Sequence, residues 1–476
     1  MAVGMEALPS PGASFGGDAA DTASERAASA EASGALAVVA LEPAQRESFR
    51  AAVEQFDARW DDAPFDDFVT LARGAVAAVL TDEQRATIDR FGDEDDTSRP
   101  SVLLLRGCGV DSNLPPTSEP QEHALRIAQL RSTGGVRAVQ GTPSTFRKDG
   151  QLTEAWTVGV MAQWSGSDVF GSPHGALPST TDGPKRLGLN QVVPVQGKET
   201  MFANYGSKVN LAWHRDGGAD TLGQAHEHTV PAKVALFCVR HDHEQMAETF
   251  FCDNRALCSA MAPDDLEALR TEPVLFHMRA TDNVARHTED ASGWTPFELD
   301  QESLLDSDKH RRWFARPKPC IGGTEAWPIV SLQQDREVDT EATAPHVATA
   351  YHALLTLAAE QGFALRLQQG DLCIANNKGC CHGRSAYQPR FDGHDRWLQR
   401  LSTHPRTAEA LDEQMMEDYF QENLAMELRE TQKLIKKHAE LLDKKDGRWG
   451  SIGATVAGAV AGAAGAVGWR LLQSRL

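Results

Sequence analysis

Positive charge is scarce in this chain of 476 residues: 47 Lys and Arg stand against 67 Asp and Glu, a formal net charge of −20. A protein that tracks a phosphate backbone needs a basic footprint, so nucleic acid is not an expected partner. Cys-x-x-Cys pairs are also missing. The eight cysteines (108, 238, 252, 258, 320, 373, 380 and 381) show no framework spacing, which fits reduced thiols in an intracellular protein. Near the N-terminus no basic segment precedes an apolar run, so no secretory signal is expected, and the stretch is too acidic for a mitochondrial transit peptide. No internal repeat is visible. What remains is a composition with 41% hydrophobic and 24% charged residues, that of a globular protein long enough for one large domain with appendages.

Residues 1–35 are Ala, Ser, Gly and acidic residues without periodicity and read as a disordered arm. Apolar residues then recur at helical spacing over 42–60 and 64–80, with Pro64 suited to a first turn. Ser101-Val-Leu-Leu-Leu reads as a short buried strand. Between about 155 and 400, strand-like runs such as KVALFCVR (233–240), ETFFCD (248–253), PVLFHMRA (273–280) and DLCIANN (371–377) alternate with Gly, Pro, Asn and Asp. A helix from 344 to 361 interrupts them and ends at Gly362. Many short strands with a few helices predict a mainly β domain over 36–405, a sandwich or jelly roll with flanking helices.

The stretch VNLAWHRDGG (209–218) carries the chemistry. Val209, Leu211 and Trp213 alternate with Asn210, Ala212 and His214, the period of a strand. Residues two apart on a strand point to one side, so His214 and Asp216 present an imidazole and a carboxylate to one point. His-Arg-Asp also opens a kinase catalytic loop, but no Asp-Phe-Gly, Gly-rich loop or strand lysine accompanies it. A pair of this kind is half of a metal site. Two histidines and one carboxylate on one face leave coordination positions open on Fe(II). The best second histidine is His382, beside a later strand in GDLCIANNKGCCHGRSAYQPRFDGHDRWLQR (370–400). A turn at Phe391-Asp392-Gly393 then returns the chain through Arg396, Leu398 and Arg400, which share one strand face.

NLAWHRD, the 370–400 segment and LLLRGCGVDSNLPPT together resemble the clavaminate synthase-like branch of the Fe(II)/2-oxoglutarate dioxygenases, relatives of taurine dioxygenase. That branch includes arginine, lysine and asparagine hydroxylases. The likeness runs from about 101 to 401. It implies a double-stranded β-helix, with His214, Asp216 and His382 as metal ligands and catalytic centre. It implies Fe(II) as cofactor, and 2-oxoglutarate and O2 as co-substrates. Arg396, fourteen residues after His382, matches the co-substrate arginine, and Thr249 resembles a threonine that also touches 2-oxoglutarate. Arg400 matches a position serving a substrate or co-substrate carboxylate. Asp335, Glu337, Asp339 and Glu341 resemble a segment where amino-acid hydroxylases hold a basic substrate; a charged loop is the alternative. Halogenating relatives carry Gly or Ala in place of the carboxylate, so Asp216 implies hydroxylation or a related oxidation. The segment 217–231, with His226 and His228, is longer than the likeness leads one to expect.

Beyond Arg406 the pattern changes. Residues 406–448 read as a charged, solvated helix, followed by an apolar C-terminal tail at 449–476. Within it, 449–469 holds twenty-one residues without a charge, long enough for one bilayer crossing, with Gly458 and Gly462 at Gly-x-x-x-Gly spacing. Membrane association or self-association through this tail is therefore an expectation. The ending Ser474-Arg475-Leu476 resembles the peroxisomal S-K-L address. The places expected are the cytoplasm, an intracellular membrane or the peroxisome. Two functions from different classes follow. One is an oxygenase acting on an amino acid or a small metabolite bearing an amine or carboxylate; the other is a membrane-tethered, non-catalytic jelly-roll scaffold.

Overall fold

The computed structural model describes residues 19–55, 65–110, 114, 116–117, 149–164, 168–171, 190–194, 210–216, 231–274, 276–277, 319–332, 337–338, 340 and 343–405. In chain order the elements begin with α1 (Ala19–Ala32), β1 (Leu36–Ala40), α2 (Pro43–Glu54), α3 (Phe65–Val79), α4 (Asp82–Gly92) and β2 (Val102–Arg106). Next come α5 (Asp149–Met161), β3 (Asp168–Gly171), β4 (Asn190–Val192), β5 (Leu211–His214), β6 (Lys233–Arg240) and β7 (Thr249–Asp253). Helices α6 (Asn254–Ala260) and α7 (Pro263–Thr271) precede the short strands β8 (Phe276–His277), β9 (Ile321–Gly323), β10 (Pro328–Val330) and β11 (Glu337–Val338). Helix α8 (Pro345–Gln361) leads into β12 (Phe363–Leu365), β13 (Leu372–Asn376), β14 (Cys380–Arg384) and β15 (Trp397–Pro405).

Two sheets carry the domain. The larger runs β1-β2-β13-β6-β15-β3, with β4 also on β15; the smaller runs β12-β7-β14-β5. Among the described strands of these sheets, only β1 and β2 pair in parallel. Alternation along each strand sorts side chains into separate cores. Leu103, Leu105, Phe237, Ile374 and Trp397 leave the larger sheet outward, against Phe49 of α2, Val76 of α3 and Trp156 of α5. Their neighbours Leu104, Cys238, Cys373 and Leu398 point inward, against Phe251, Phe363 and Cys380 of the smaller sheet. Trp213, Phe250, Cys252 and Cys381 face outward from the smaller sheet, onto Tyr351, Leu354 and Ala358 of α8. Adjacent Cys380 and Cys381 thus fill different cores. All eight cysteines are buried and unbridged.

The expected strands at 233–240 and 371–377, and the helix ending at Gly362, lie where the sequence places them. Two expectations need correction. The domain is mixed α and β rather than mainly β: more described residues are helical than extended. The sheets' outer faces are apolar and must be covered, and helices do this. Within the arm expected to be disordered over 1–35, residues 19–32 form α1. Its alanines favour helix, Ala30 packs between the sheets, and Arg26 donates to Ala359 O (3.2 Å) and Gly362 O (3.5 Å) at the end of α8. Residues 1–18 lie outside the described residues.

The chain divides into two compact units, Met1–Arg406 and Thr407–Leu476. The charged helix and apolar tail expected in the second lie outside the described residues, as do His226, His228 and Asp339. No helix among the described residues is long and apolar enough to cross a membrane.

β14 approaches its neighbours closely at Gly383. A Cβ there would lie 2.6 Å from Phe250 Cε2 and 2.7 Å from Leu211 O. Gly383→Ala should lower unfolding free energy by about 1–3 kcal/mol, the cost of overpacking a filled core. Urea unfolding should show an earlier midpoint at unchanged slope.

Candidate active site

His214 ends β5, and His382 stands at the centre of β14. The two strands pair antiparallel with these residues directly opposite, and the imidazole centroids are 4.4 Å apart. Because Trp213 and Cys381 face outward, both imidazoles are turned inward between the sheets. The ladder shifts register between His382 and Arg384, so β5 spends one more residue than β14. A bulge of this kind re-aims side chains beside a site. Asp216 follows two residues after His214. Its Oδ1 is 3.6 Å from His214 Nε2 and its Oδ2 3.6 Å from His382 Nε2. One potential ligand atom from each lies within 4.8 Å of the others.

The donor set suits a divalent first-row metal. His214 Nδ1 lies 2.8 Å from Ala212 O; as donor to that carbonyl it leaves the Nε2 lone pair free to ligate. Burial, reinforced by His214, pushes His382 down to about 3, so its imidazole is neutral. Burial works to raise the Asp216 carboxyl, but Arg400 and the two histidines overcome it and hold it well below the ordinary range. Two imidazole nitrogens and one carboxylate on one side match the facial arrangement that leaves positions open on iron.

Three arginines are buried in this part of the domain, Arg384, Arg396 and Arg400, and Arg384 shares the inward face of His382. Arg400 is buried and donates to Asp216 Oδ2, so the structure places it on the candidate ligand carboxylate. Arg396 is 4% exposed, and no carboxylate among the described residues lies in ion-pair reach of it. Its Cζ is 5.6 Å from the centroid of the Tyr387 ring, and Arg384 Cζ is 5.0 Å from the same ring. Burial lowers Arg384 to about 10, and Arg396 adds to the shift. Opposite Arg384 in register stands Thr249, whose buried hydroxyl has no hydrogen-bond partner. Buried guanidinium groups with an unused hydroxyl form a receptor for an anion. The buried, orphaned Thr249 hydroxyl is the observation that fits a carboxylate co-substrate here.

Arg384 escaped the sequence reading, although the signal was local. It lies two residues after His382 on a strand and therefore shares its inward face. The loop before Arg396 is pinned as well. Arg390 N donates to Asp395 (2.7 Å), His394 N to Asp392 (2.9 Å), and Arg240 to Gly393 O (2.9 Å). His243 Nε2 approaches Asp392 at 3.2 Å and Asp395 at 3.8 Å. Arg240 and Arg390 already supply positive charge to these carboxylates.

Known proteins resemble this chain in sequence and fold. Residues 116–402 match the model of the taurine catabolism dioxygenase TauD, TfdA family. L-asparagine oxygenase of Streptomyces coelicolor is 28% identical over 354 residues, 73% of this chain and 82% of that protein. L-ornithine/L-arginine 3-hydroxylase of Catenulispora acidiphila is 25% identical over 216 residues, 45% of this chain and 59% of that protein. The fold matches a crystal structure of asparagine oxygenase in complex with Fe(II), 2S,3S-3-hydroxyasparagine and succinate. That match has a TM-score of 0.52 and 21% identity, covering 78% of this chain and 93% of that one. With more than half of its length matched and a candidate ligand set between two sheets, the chain belongs to the TauD/TfdA family of Fe(II)- and 2-oxoglutarate-dependent dioxygenases.

Proposed function

We propose that this enzyme hydroxylates a free amino acid or a closely related amine-bearing carboxylate. The observation that carries this is the inward cluster of His214, Asp216 and His382, with Arg400 on the Asp216 carboxylate and Arg396 buried just before the same strand. Iron with 2-oxoglutarate and O2 would supply the oxidising power, one oxygen atom passing to succinate as CO2 is lost and the other to a substrate C–H bond. The chain's own residues position and exclude. His214, Asp216 and His382 would hold the metal from one side. Arg396 would take the far carboxylate of 2-oxoglutarate with its planar fork, assisted by the Thr249 hydroxyl. The facing sheets, taken as halves of a double-stranded β-helix, keep bulk water from the reacting centre. Arg400, held on Asp216, is close enough to the same centre to meet a substrate carboxylate. The acidic run 335–341, with Asp339, is proposed to hold a substrate amine. A non-catalytic scaffold has no need of this complete set.

The substrate class is tested by offering amino acids to iron-loaded enzyme with 2-oxoglutarate, and measuring succinate and a product heavier by one oxygen. An amino acid should stimulate succinate release; a productive substrate without amine or carboxylate, such as a plain hydrocarbon chain, overturns the assignment.

The co-substrate role is tested at Arg396. Leaving a carboxylate unpaired in a buried pocket costs about 2–4 kcal/mol. Arg396→Ala should therefore raise the 2-oxoglutarate requirement roughly thirtyfold or more, since about 1.4 kcal/mol is tenfold. Arg396→Lys should recover part of this, and metal binding should survive in both. An unchanged midpoint in Arg396→Ala, with the shift appearing in Arg400→Ala, would move the role along β15.

The tail is proposed to serve membrane association or self-association, with the enzyme in the cytoplasm or on an intracellular membrane. Truncation after Asp446 should leave turnover intact and change only partition or assembly. A soluble, iron-loaded and inactive truncation would show that the tail belongs to the site.

A further inference from the structure

Asp216 lies beyond the last paired residue of β5, because the ladder to β14 ends at His214 and His382. Its backbone amide and carbonyl therefore have no strand to bond, and buried backbone groups need partners. The Asn377 side chain provides both. Asp216 N donates to Asn377 Oδ1 (3.1 Å), and Asn377 Nδ2 donates to Asp216 O (3.0 Å). One amide thus reproduces the paired donor and acceptor of a neighbouring strand. The second Nδ2 hydrogen goes to Pro231 O (2.8 Å), and Asn377 N donates to Ala232 O (3.0 Å), both at the entry to β6. Asn377 is 0% exposed and stands in the turn after β13, where Gly379 N closes back on Asn376 O (2.9 Å).

We infer that Asn377 is the positioning residue for the metal-binding carboxylate, tying Asp216 of the smaller sheet's edge to β13 and β6 of the larger sheet. This rests on the proposed role of Asp216 as a metal ligand. The carboxylate must meet two imidazoles from β5 and β14, yet no ladder fixes its own backbone. Removing the amide frees the Asp216 peptide to rotate, which moves the carboxylate relative to His214 and His382. Supporting residues of this kind typically cost 10–100-fold in metal affinity when removed.

A buried asparagine also packs, so the test needs a matched control. Asn254 is likewise 0% exposed and its Nδ2 donates to Pro328 O (3.2 Å) and Lys378 O (2.9 Å), without touching Asp216. Purified metal-free full-length protein is titrated with Co(II) without oxygen, following the metal's visible absorbance, and melted by circular dichroism. Asn377→Ser should bind Co(II) about 10–100-fold more weakly than the parent, whereas Asn254→Ser keeps parental affinity at a comparable loss of melting temperature. Asn377→Asp, which retains an acceptor for the Asp216 amide, should fall between Asn377→Ser and the parent; it carries the comparison with Asn254→Ser if the serine variant does not fold. Parental affinity in the Asn377 variants, or an equal loss in Asn254→Ser, overturns the inference while leaving the metal site standing. A parent chain that takes up no Co(II) defeats the proposed function itself.

Discussion

The antiparallel pairing of β14 with β5 is the contact on which the site depends. It sets two imidazoles face to face across one rung of a ladder, at a spacing fixed by backbone hydrogen bonds rather than by flexible side chains. Everything else is arranged around that rung. Gly383 lets the strands close, Trp213 and Cys381 anchor the opposite face under α8, and the bulge turns the ladder just past His382. A slip of one residue would send either histidine into the outer core.

The inner face concentrates positive charge in a strongly acidic chain. Arg384, Arg396 and Arg400 are all buried, and Arg400 binds the Asp216 carboxylate. Keeping guanidinium groups from water is costly unless an anion meets them. The pocket is therefore a place where ligand binding and folding stability are linked: an anion that binds only the folded chain adds to its stability by mass action.

Much of this was legible in the sequence, for reasons that are local. The alternation around Trp213 announced which way His214 points, β6 spans the run read as a strand, and Gly362 marks the end of α8 as read. That His214, Asp216 and His382 come together was readable because strand period and residue chemistry agreed. The rest depends on contacts that no local pattern carries. Arg400 reaches Asp216 across 184 residues, and β13 lies between β2 and β6 although neither is its neighbour in sequence. Helix α1 was hidden by its own composition. Alanine and serine without an apolar stripe look like a loose arm, and only the docking of Ala30 and Arg26 reveals a packed element. Arg384 was within reach of the two-residue rule but required knowing which face looks inward.

The distribution of sulfur has a consequence for an enzyme that handles oxygen. Cys381 adjoins His382 in sequence, yet its side chain emerges on the far side of the strand, behind a layer of peptide backbone. Burial pushes its thiol up to about 12, and Cys238 likewise to about 12. The thiolate is the form that oxidises readily, and at neutral pH it is scarcely populated at either residue. For Cys381 the sheet thus acts as a partition: the imidazoles and carboxylate of the candidate site face the space between the sheets, while this neighbouring sulfur packs on the other side of the wall.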